Sequence, residues 1–457
     1  MEHSDPLALV RPHEVHRDLY RCPRVFELEM QRLWARAWLY VGHDSQVPEP
    51  GDHVALNLGA QPVLMVRRDD GGIVVLHNRC AHRGAPLAPE GPGRAQRLLR
   101  CPYHGWAYRF DGRLAGLPQR AGYDGVDFEA STAAARGLTP YGEVAVHRGF
   151  VFARARVDGP GFEAALGELL GALDLICDRS PRGRLRVAGG VLRSVVRANW
   201  KLYLENVNDA VHPPSTHASV TDAAGAAWKA EAASAAGAGV GPNAEGPPLA
   251  MRQLLPFGSG FEFFDRMGAR LLPHGHSILG TQHSIHSGYS AQDAQALRDA
   301  HGEQRACQVL AFAPQNVVFY PSMALKGSPQ VMRVLRPLAP DRTLVEAWAF
   351  EPEGAGPQAL QGALLYNRQV FSPLSMVAHD DLHLFEGQQR SLAADGNPWV
   401  SLHRGARPDV DQAPPCDVGG LDEGLLRNQY RAWLDMMRPV VPGTSGADLA
   451  SAPRTAP

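Results

Sequence analysis

Residues 45–155 alternate short apolar runs with turn signals, the pattern of a small antiparallel β domain. Val63–Val66 and Ile73–Leu76 flank Asp69-Asp70-Gly71-Gly72. That spacing predicts a hairpin, because Asp-Gly tolerates the positive φ of a tight turn. Tyr108-Arg109-Phe110 followed by Asp111-Gly112 repeats the pattern. Upstream, residues 7–40 set Val25, Leu28, Leu33 and Trp38 among charges and predict a short helical entry. Downstream of about 156, helical and strand patterns mix. Gln315–Tyr320, Val331–Leu335 and Leu344–Phe350 read as strands of one sheet. Leu426, Tyr430, Trp433, Leu434 and Met437 recur at helical spacing behind Asp422, a candidate cap. Ala223–Pro248, dense in Ala and Gly, predicts a mobile surface loop or lid. The Pro/Ser/Ala-rich residues 441–457 predict a disordered tail. The expected organisation is α+β: an entry segment (1–40) packing on the larger domain, a β domain (41–155), the larger domain (156–440) and the tail (441–457).

Composition narrows the function classes. A chain of 457 residues exceeds one ordinary core, which makes two domains the expectation. Lys and Arg number 45 against 47 acids, a balance that points away from nucleic acid and anionic membranes as partners. No run approaches the roughly 18 apolar residues of a membrane span. Met1-Glu2-His3-Ser4-Asp5 lacks the basic start of a signal peptide, so a cytoplasmic location is expected. Six cysteines are too few for a disulfide framework in so long a chain. Cys22, Cys177, Cys307 and Cys416 read as small buried hydrophobes. Cys80 and Cys101 differ, because each has a histidine close behind it.

The two segments are Cys80-Ala81-His82-Arg83-Gly84 and Cys101-Pro102-Tyr103-His104-Gly105-Trp106. Two thiolates and two imidazoles on neighbouring loops can hold a [2Fe–2S] cluster, with Cys on one iron and His on the other. A structural zinc site also uses this donor set, but its loops pair like with like, typically Cys-x2-4-Cys. Each half here carries one of each. Both segments resemble the Rieske boxes of ring-hydroxylating oxygenases, which would make Cys80 and Cys101 the thiolate ligands and His82 and His104 the imidazole ligands.

A second constellation lies at residues 199–217, which run from Asn199-Trp200-Lys201 to Pro213-Pro214-Ser215-Thr216-His217. The first part predicts helix. Asp209 and His212, three apart, would share a face. His212 and His217 are about 140° apart on a helix, so the predicted solution is a helix broken by Pro213 and Pro214, with His217 swinging back. Two histidines leave room for a carboxylate, the donor set of non-haem Fe(II) oxygenases. Asp380 and Asp381 open another helical stretch and are the candidates.

The resemblance extends over roughly residues 20–440 and is nearest in pattern to benzoate- and anthranilate-type large (alpha) subunits. It implies a Rieske domain followed by a catalytic helix-grip, START-like domain. It also implies His212 and His217 as iron ligands. Asp381, five residues before Glu386, is implied over Asp380 as the third. Asp209 matches the family's bridging aspartate, which links an iron histidine to a cluster histidine of the next subunit. The implied assembly is a homotrimer, or α3β3 with a small beta subunit. Val211 and Ala210 depart from the usual Tyr and Gly or Ser, and neither change removes a ligand.

The implied activity is that of a terminal oxygenase with a [2Fe–2S] cluster and Fe(2+), using O₂ to hydroxylate an aromatic ring. The expected reaction is cis-dihydroxylation of an aromatic carboxylate. Electrons would come from NADH through a flavin reductase, directly or via a ferredoxin, since no Gly-x-Gly-x-x-Gly loop is present. Arg252, Lys326 and Arg333 are candidate carboxylate partners. The competing readings are a Rieske monooxygenase or demethylase and, in another class, an electron-transfer Rieske protein. The long remainder of the chain argues against the last.

Overall fold

The hairpin predicted around Asp69-Gly72 forms. Strand Gln61–Arg67 pairs antiparallel with Ile73–His77, Val66 facing Val74 and Leu64 facing Leu76, and Gly71 takes φ +81° at the turn. The computed structural model describes residues 5–125, 128, 136–237, 248–284, 291–328, 330–407 and 413–439. The predicted tail, 441–457, lies outside them. These two strands are the start of a four-stranded sheet completed by Asp52–Leu58 and Gly91–Arg94. A three-stranded sheet of Leu99–Arg100, Ala107–Tyr108 and Leu114–Gly116 is built on the second predicted hairpin. Leu64, Val66, Leu76, Leu99, Trp106 and Phe110 bury one core with Cys80 and Cys101 in it.

The largest sheet among the described residues has eight strands, in the order Leu185–Val196, Arg342–Pro352, Val331–Ala339, Met323–Lys326, Asn316–Phe319, Ser277–Leu279, Ala269–Leu271 and Cys416–Val418. Every neighbouring pair is antiparallel. The three strands predicted for one sheet are all in it. Val331–Leu335 and Met323–Leu325 are buried throughout, as strands covered on both faces must be.

The chain divides into two compact units, Met30–Ala164 in one and Ala165–Arg438 with the described residues up to Glu29 in the other. Sequence placed the boundaries at 40/41 and 155/156. The first instead falls inside helix α1, Pro23–Arg36. Glu29 on α1 is fully buried and accepts from Trp200 Nε1 (3.0 Å), Trp433 Nε1 (2.8 Å) and Lys201 Nζ (2.6 Å). Trp200 and Lys201 open helix α2, Trp200–Val207, and Trp433 belongs to a helix near the C-terminus. Removing one partner of such a buried ion pair costs about 3–5 kcal/mol, so this knot holds α2 in place.

Two expectations need correction. Ala223–Gly237 is not a loop: after α3, Pro213–Thr216, it belongs to helix α4, Ala218–Gly237, and residues 238–247 are outside the described set. Ala is the strongest helix former, and that outweighs the few glycines. Of the four lone cysteines only Cys177 is buried, and Cys307 is exposed. Helix α5, Met376–Ser391, starts at Ser375, whose Oγ accepts from Ala378 N. Helix α6, Gly424–Met437, starts two residues after Asp422, whose carboxylate accepts from Gly424 N at 2.6 Å.

Candidate metal centres

The two Cys/His loops share one backbone design. Cys80 N donates to Ala85 O (2.8 Å) and Gly84 N to Cys80 O (2.9 Å). Cys101 N donates to Trp106 O (2.8 Å) and Gly105 N to Cys101 O (3.1 Å). Each closing glycine has positive φ, +77° at Gly84 and +73° at Gly105, a region L side chains enter at a cost. Both cysteines are buried at 2% exposure while the histidines lie further out, their ring centroids 4.7 Å apart. His82 stacks on Trp106 (4.8 Å, 9°), and its Nδ1 is buried with no hydrogen-bond partner. An orphaned imidazole nitrogen beside two buried thiols fits a [2Fe–2S] cluster with His on its outer iron. Tyr108 Oη lies 3.1 Å from Cys80 Sγ, and burial pushes its phenol well up, so it stays a donor toward the sulfur.

The second centre is gathered from two distant helical segments. Asn199 caps α2 through Lys201 N (3.1 Å), and α2 stops at Val207. Asp209 therefore lies past the helix rather than on a shared helical face. It forms a turn in which its Oδ2 accepts from His212 N (3.0 Å) and meets His212 Nδ1 (3.1 Å). The two prolines do not end a helix. They start α3, where a missing N–H costs nothing, and the turn they wind carries the chain from His212 to His217.

His212 Nε2 lies 3.8 Å and His217 Nε2 3.5 Å from Asp381 Oδ1. The three donor atoms lie within 4.8 Å of one another. The outward nitrogens face acids, His212 Nδ1 toward Asp209 and His217 Nδ1 toward Asp380 Oδ2 (3.4 Å). Asn206 Nδ2 donates to Asp381 Oδ1 (3.1 Å) and orients it. Burial pushes the His217 imidazole down, toward the neutral form that ligates. Burial alone would raise the Asp209 carboxyl, but hydrogen bonds and charge from His212, then the Val211 and His212 amides, hold it low. Two ε-nitrogens and one carboxylate, each oriented from behind, form a donor set that fits a non-haem iron.

A cleft of about 480 Å³, part of it open to solvent, adjoins these donors. Phe257, Phe264, Met267, Leu279, Val370 and Phe371 give it apolar walls, and Asn316, Lys326 and Arg333 contribute polar groups from the sheet. Apolar lining with few polar anchors is the general form of a small-molecule site. Arg252, the third candidate cation, is exposed and does not line the cleft.

The structure thus gathers Cys80, His82, Cys101 and His104 on adjoining loops, and His212, His217 and Asp381 at one point. It sets Asp380 behind His217 and Asp209 behind His212. Both Asp209 oxygens are engaged, since Oδ1 accepts from Val211 N (3.1 Å) and from Arg404 (3.2 Å). Sequence reading missed Arg404, which lies far along the chain in a stretch without a motif.

Comparison with known proteins bears on both units. Residues 37–130 match the Rieske [2Fe-2S] domain, and residues 181–438 match the ring hydroxylating alpha subunit (catalytic domain). The chain is similar to toluate 1,2-dioxygenase subunit alpha of Pseudomonas putida, 28% identical over 92% of this chain and 90% of that one. It is similar to the anthranilate 1,2-dioxygenase large subunit of Acinetobacter baylyi, at 29% over 92% and 88%. It is also similar to N,N-dimethyl phenylurea N-demethylase subunit alpha of Sphingobium sp., at 27% over 92% and 90%. Its fold is that of naphthalene 1,2-dioxygenase with indole bound in the active site, with TM-score 0.76, 21% identity, and 96% and 95% of the two chains covered.

Proposed function

The chain belongs to the ring-hydroxylating oxygenase alpha subunits, and on that premise we propose that it cis-dihydroxylates an aromatic carboxylate with electrons drawn from NADH. Cys80, His82, Cys101 and His104 hold the [2Fe–2S] cluster of its Rieske domain, and His212, His217 and Asp381 hold the iron of its catalytic domain. When bound, the cluster supplies single electrons and the iron supplies O₂ activation. The protein's own part is positional. Asp209 and Asp380 fix the tautomers of His212 and His217 by accepting at Nδ1, which presents both ε-nitrogens to the metal. Asn206 keeps one Asp381 oxygen turned in. The cleft, with its apolar walls, places a ring beside these groups.

The convergence of three ligand atoms within 4.8 Å at the edge of a cleft with apolar walls carries this reading. The similarity to toluate and anthranilate dioxygenase subunits favours the carboxylate. No described helix is long and apolar enough to cross a membrane. Alpha subunits of this family work with reductase or ferredoxin donors and usually form α3β3 assemblies. In such an assembly Asp209 is the residue through which His212 is reached from a neighbouring subunit's cluster. A flavin reductase, alone or with a ferredoxin, is the donor.

The test combines iron and sulfide analysis with EPR, then turnover of a panel of aromatic acids under ¹⁸O₂ with NADH and a reductase. A cis-diol carrying two labelled oxygens is the expected product. One labelled oxygen, or loss of a methyl group, would replace the dioxygenase by a monooxygenase, the reading favoured by the N-demethylase relative. A chain that holds only the cluster would reduce it to an electron carrier.

A further inference from the structure

Two basic side chains in the cleft lack a counter-charge. Lys326 and Arg333 are 4% and 6% exposed. Three comparably buried bases each have a carboxylate, Lys201 on Glu29, Arg154 on Glu143 and Arg427 on Asp422. Among the described residues, neither Lys326 nor Arg333 has an ion pair. Lys326 Nζ donates to Gln315 O (3.2 Å), which leaves two of its hydrogens for the cleft. Arg333 donates from one terminal nitrogen to Asn316 Oδ1 (2.7 Å), and its Nε is buried with no partner. Its guanidinium sits over the Phe371 ring, 4.4 Å from the centroid.

Sheet register explains why the two act together. Ala324 faces Arg333 across the strand pair, and Lys326 is two residues further along. The two side chains therefore emerge on one face as a diagonal pair, roughly 7–8 Å apart at the backbone. Asn316 stands on the strand beyond, and its Nδ2 donates to Val207 O (2.7 Å) at the end of α2. The pair is thus tied to the segment that carries the metal-binding histidines.

We infer that Lys326 and Arg333 form the anion subsite of the cleft, which binds the carboxylate of an aromatic acid and turns its ring toward His212, His217 and Asp381. This rests on the reading of the cleft as an aromatic substrate site and names the residues that would select acids within it. A buried base without a partner is costly, and an entering carboxylate supplies what the fold omits: charge, and acceptors for the unused N–H groups. Lys326 and Arg333 rise from the sheet, so the acid group lies there and the ring faces the metal ligands. Burial first, and then Arg333, push the Lys326 ammonium well down, and a bound carboxylate would draw the proton back.

The experiment is calorimetric titration of the metal-loaded assembly with benzoate and with benzamide, its neutral near-isostere. Turnover of both, and of toluene, is followed in parallel. The wild-type protein is expected to bind benzoate at least about tenfold more tightly than benzamide. In Lys326→Met and Arg333→Gln that ratio is expected to fall on the order of 10- to 100-fold, the weight of a charged hydrogen bond. Lys326→Arg should restore much of it. Lys326→Met preserves side-chain length and leaves the Arg333–Asn316 bond alone, so it carries the test if Arg333→Gln fails to fold.

Absence of a preference in the wild type overturns the subsite. So does a loss in the variants that is equal for benzoate and benzamide, since that is the signature of a purely structural role. If toluene is oxidised while benzoate is neither bound nor converted, the subsite falls and the oxygenase stands. If no aromatic compound is converted with both metals present, the oxygenase reading falls. The titration ratio then still decides the subsite.

Discussion

The two centres are built on opposite principles. The Cys/His loops are short, nearly adjacent in sequence and alike in backbone, each closed by a positive-φ glycine on its own cysteine carbonyl. They need little beyond the small sheets that present them. The His/His/Asp centre takes two ligands from the turn after α2 and one from α5, 164 residues later, and each ligand is held by a further side chain. A centre made of local loops can be lost by one ligand change without disturbing the rest. A centre made of distant helices shares its fate with the packing behind it, here Glu29 with Trp200, Lys201 and Trp433.

The sharpest break in this comparison is Cys101→Ser. It should abolish the visible absorption and the acid-labile sulfide, yet leave the mononuclear iron in place. A Cys101→Ser protein with an ordinary Rieske EPR signal would remove Cys101 from the ligand set. In the other direction, His217→Ala and Asp381→Ala should lose the mononuclear iron and all product formation while the cluster spectrum persists. Asp380→Ala should keep its iron with affinity about 10–100-fold weaker, the usual weight of a group behind a ligand. Metal analysis of the two Asp variants decides the register, and an empty Asp380→Ala beside a loaded Asp381→Ala would reverse it.

Asp209→Asn probes the segment between the two designs. It should leave both metals bound and the His212 contact in place, and lower product formation far more than substrate binding. Single turnover from a pre-reduced cluster is the measurement. Cluster oxidation coupled to product at the unmodified rate would show that electrons reach the iron by another route. Arg404→Gln should have a smaller effect in the same direction, because the bonds from His212 to Asp209 remain.

The smallest effect concerns the packing behind α2. Burial pushes the Glu205 carboxyl up to about 7, even though it accepts from Tyr20 (2.9 Å) and Tyr430. A carboxyl raised in the fold contributes stability below its unfolded value, near 4.5, and loses it as pH rises through about 7. The full shift corresponds to about 3 kcal/mol, and roughly half remains because the residue keeps some contact with water. Glu205→Gln should therefore flatten the decline in stability between pH 5 and pH 8 by roughly 1–2 kcal/mol. Denaturant midpoints at the two pH values measure it, and parallel curves for both proteins would refute it.

Much of this molecule was legible in its sequence because the signals were local. Hairpin turns at Asp69-Gly72 and Asp111-Gly112 depend on backbone freedom at single glycines. The Cys/His spacing depends only on loop closure. Errors arose where a local rule met a longer context. Ala223–Gly237 read as a loop because glycine was weighed above alanine, and the alanines won. Pro213 and Pro214 read as a stop, whereas proline at a first turn is a start. Asp209 contacts His212 as predicted, but through a turn and not a helical face.

By itself the sequence pointed to the two candidate ligand sets and the kind of chemistry they would serve, because thiolate, imidazole and carboxylate at these spacings restrict the metals they can hold. Tertiary structure sets Asp381 toward the ε-nitrogen of His217 and Asp380 toward its Nδ1, because the two acids leave α5 in different directions, a register that the sequence offered only through the family resemblance. It also decided that Asp209 is shared with Arg404, and that Lys326 and Arg333, which line the cleft, form no ion pair among the described residues. A charge's partner is a matter of three-dimensional distance. No periodicity along the chain encodes which of many carboxylates a buried base will lack.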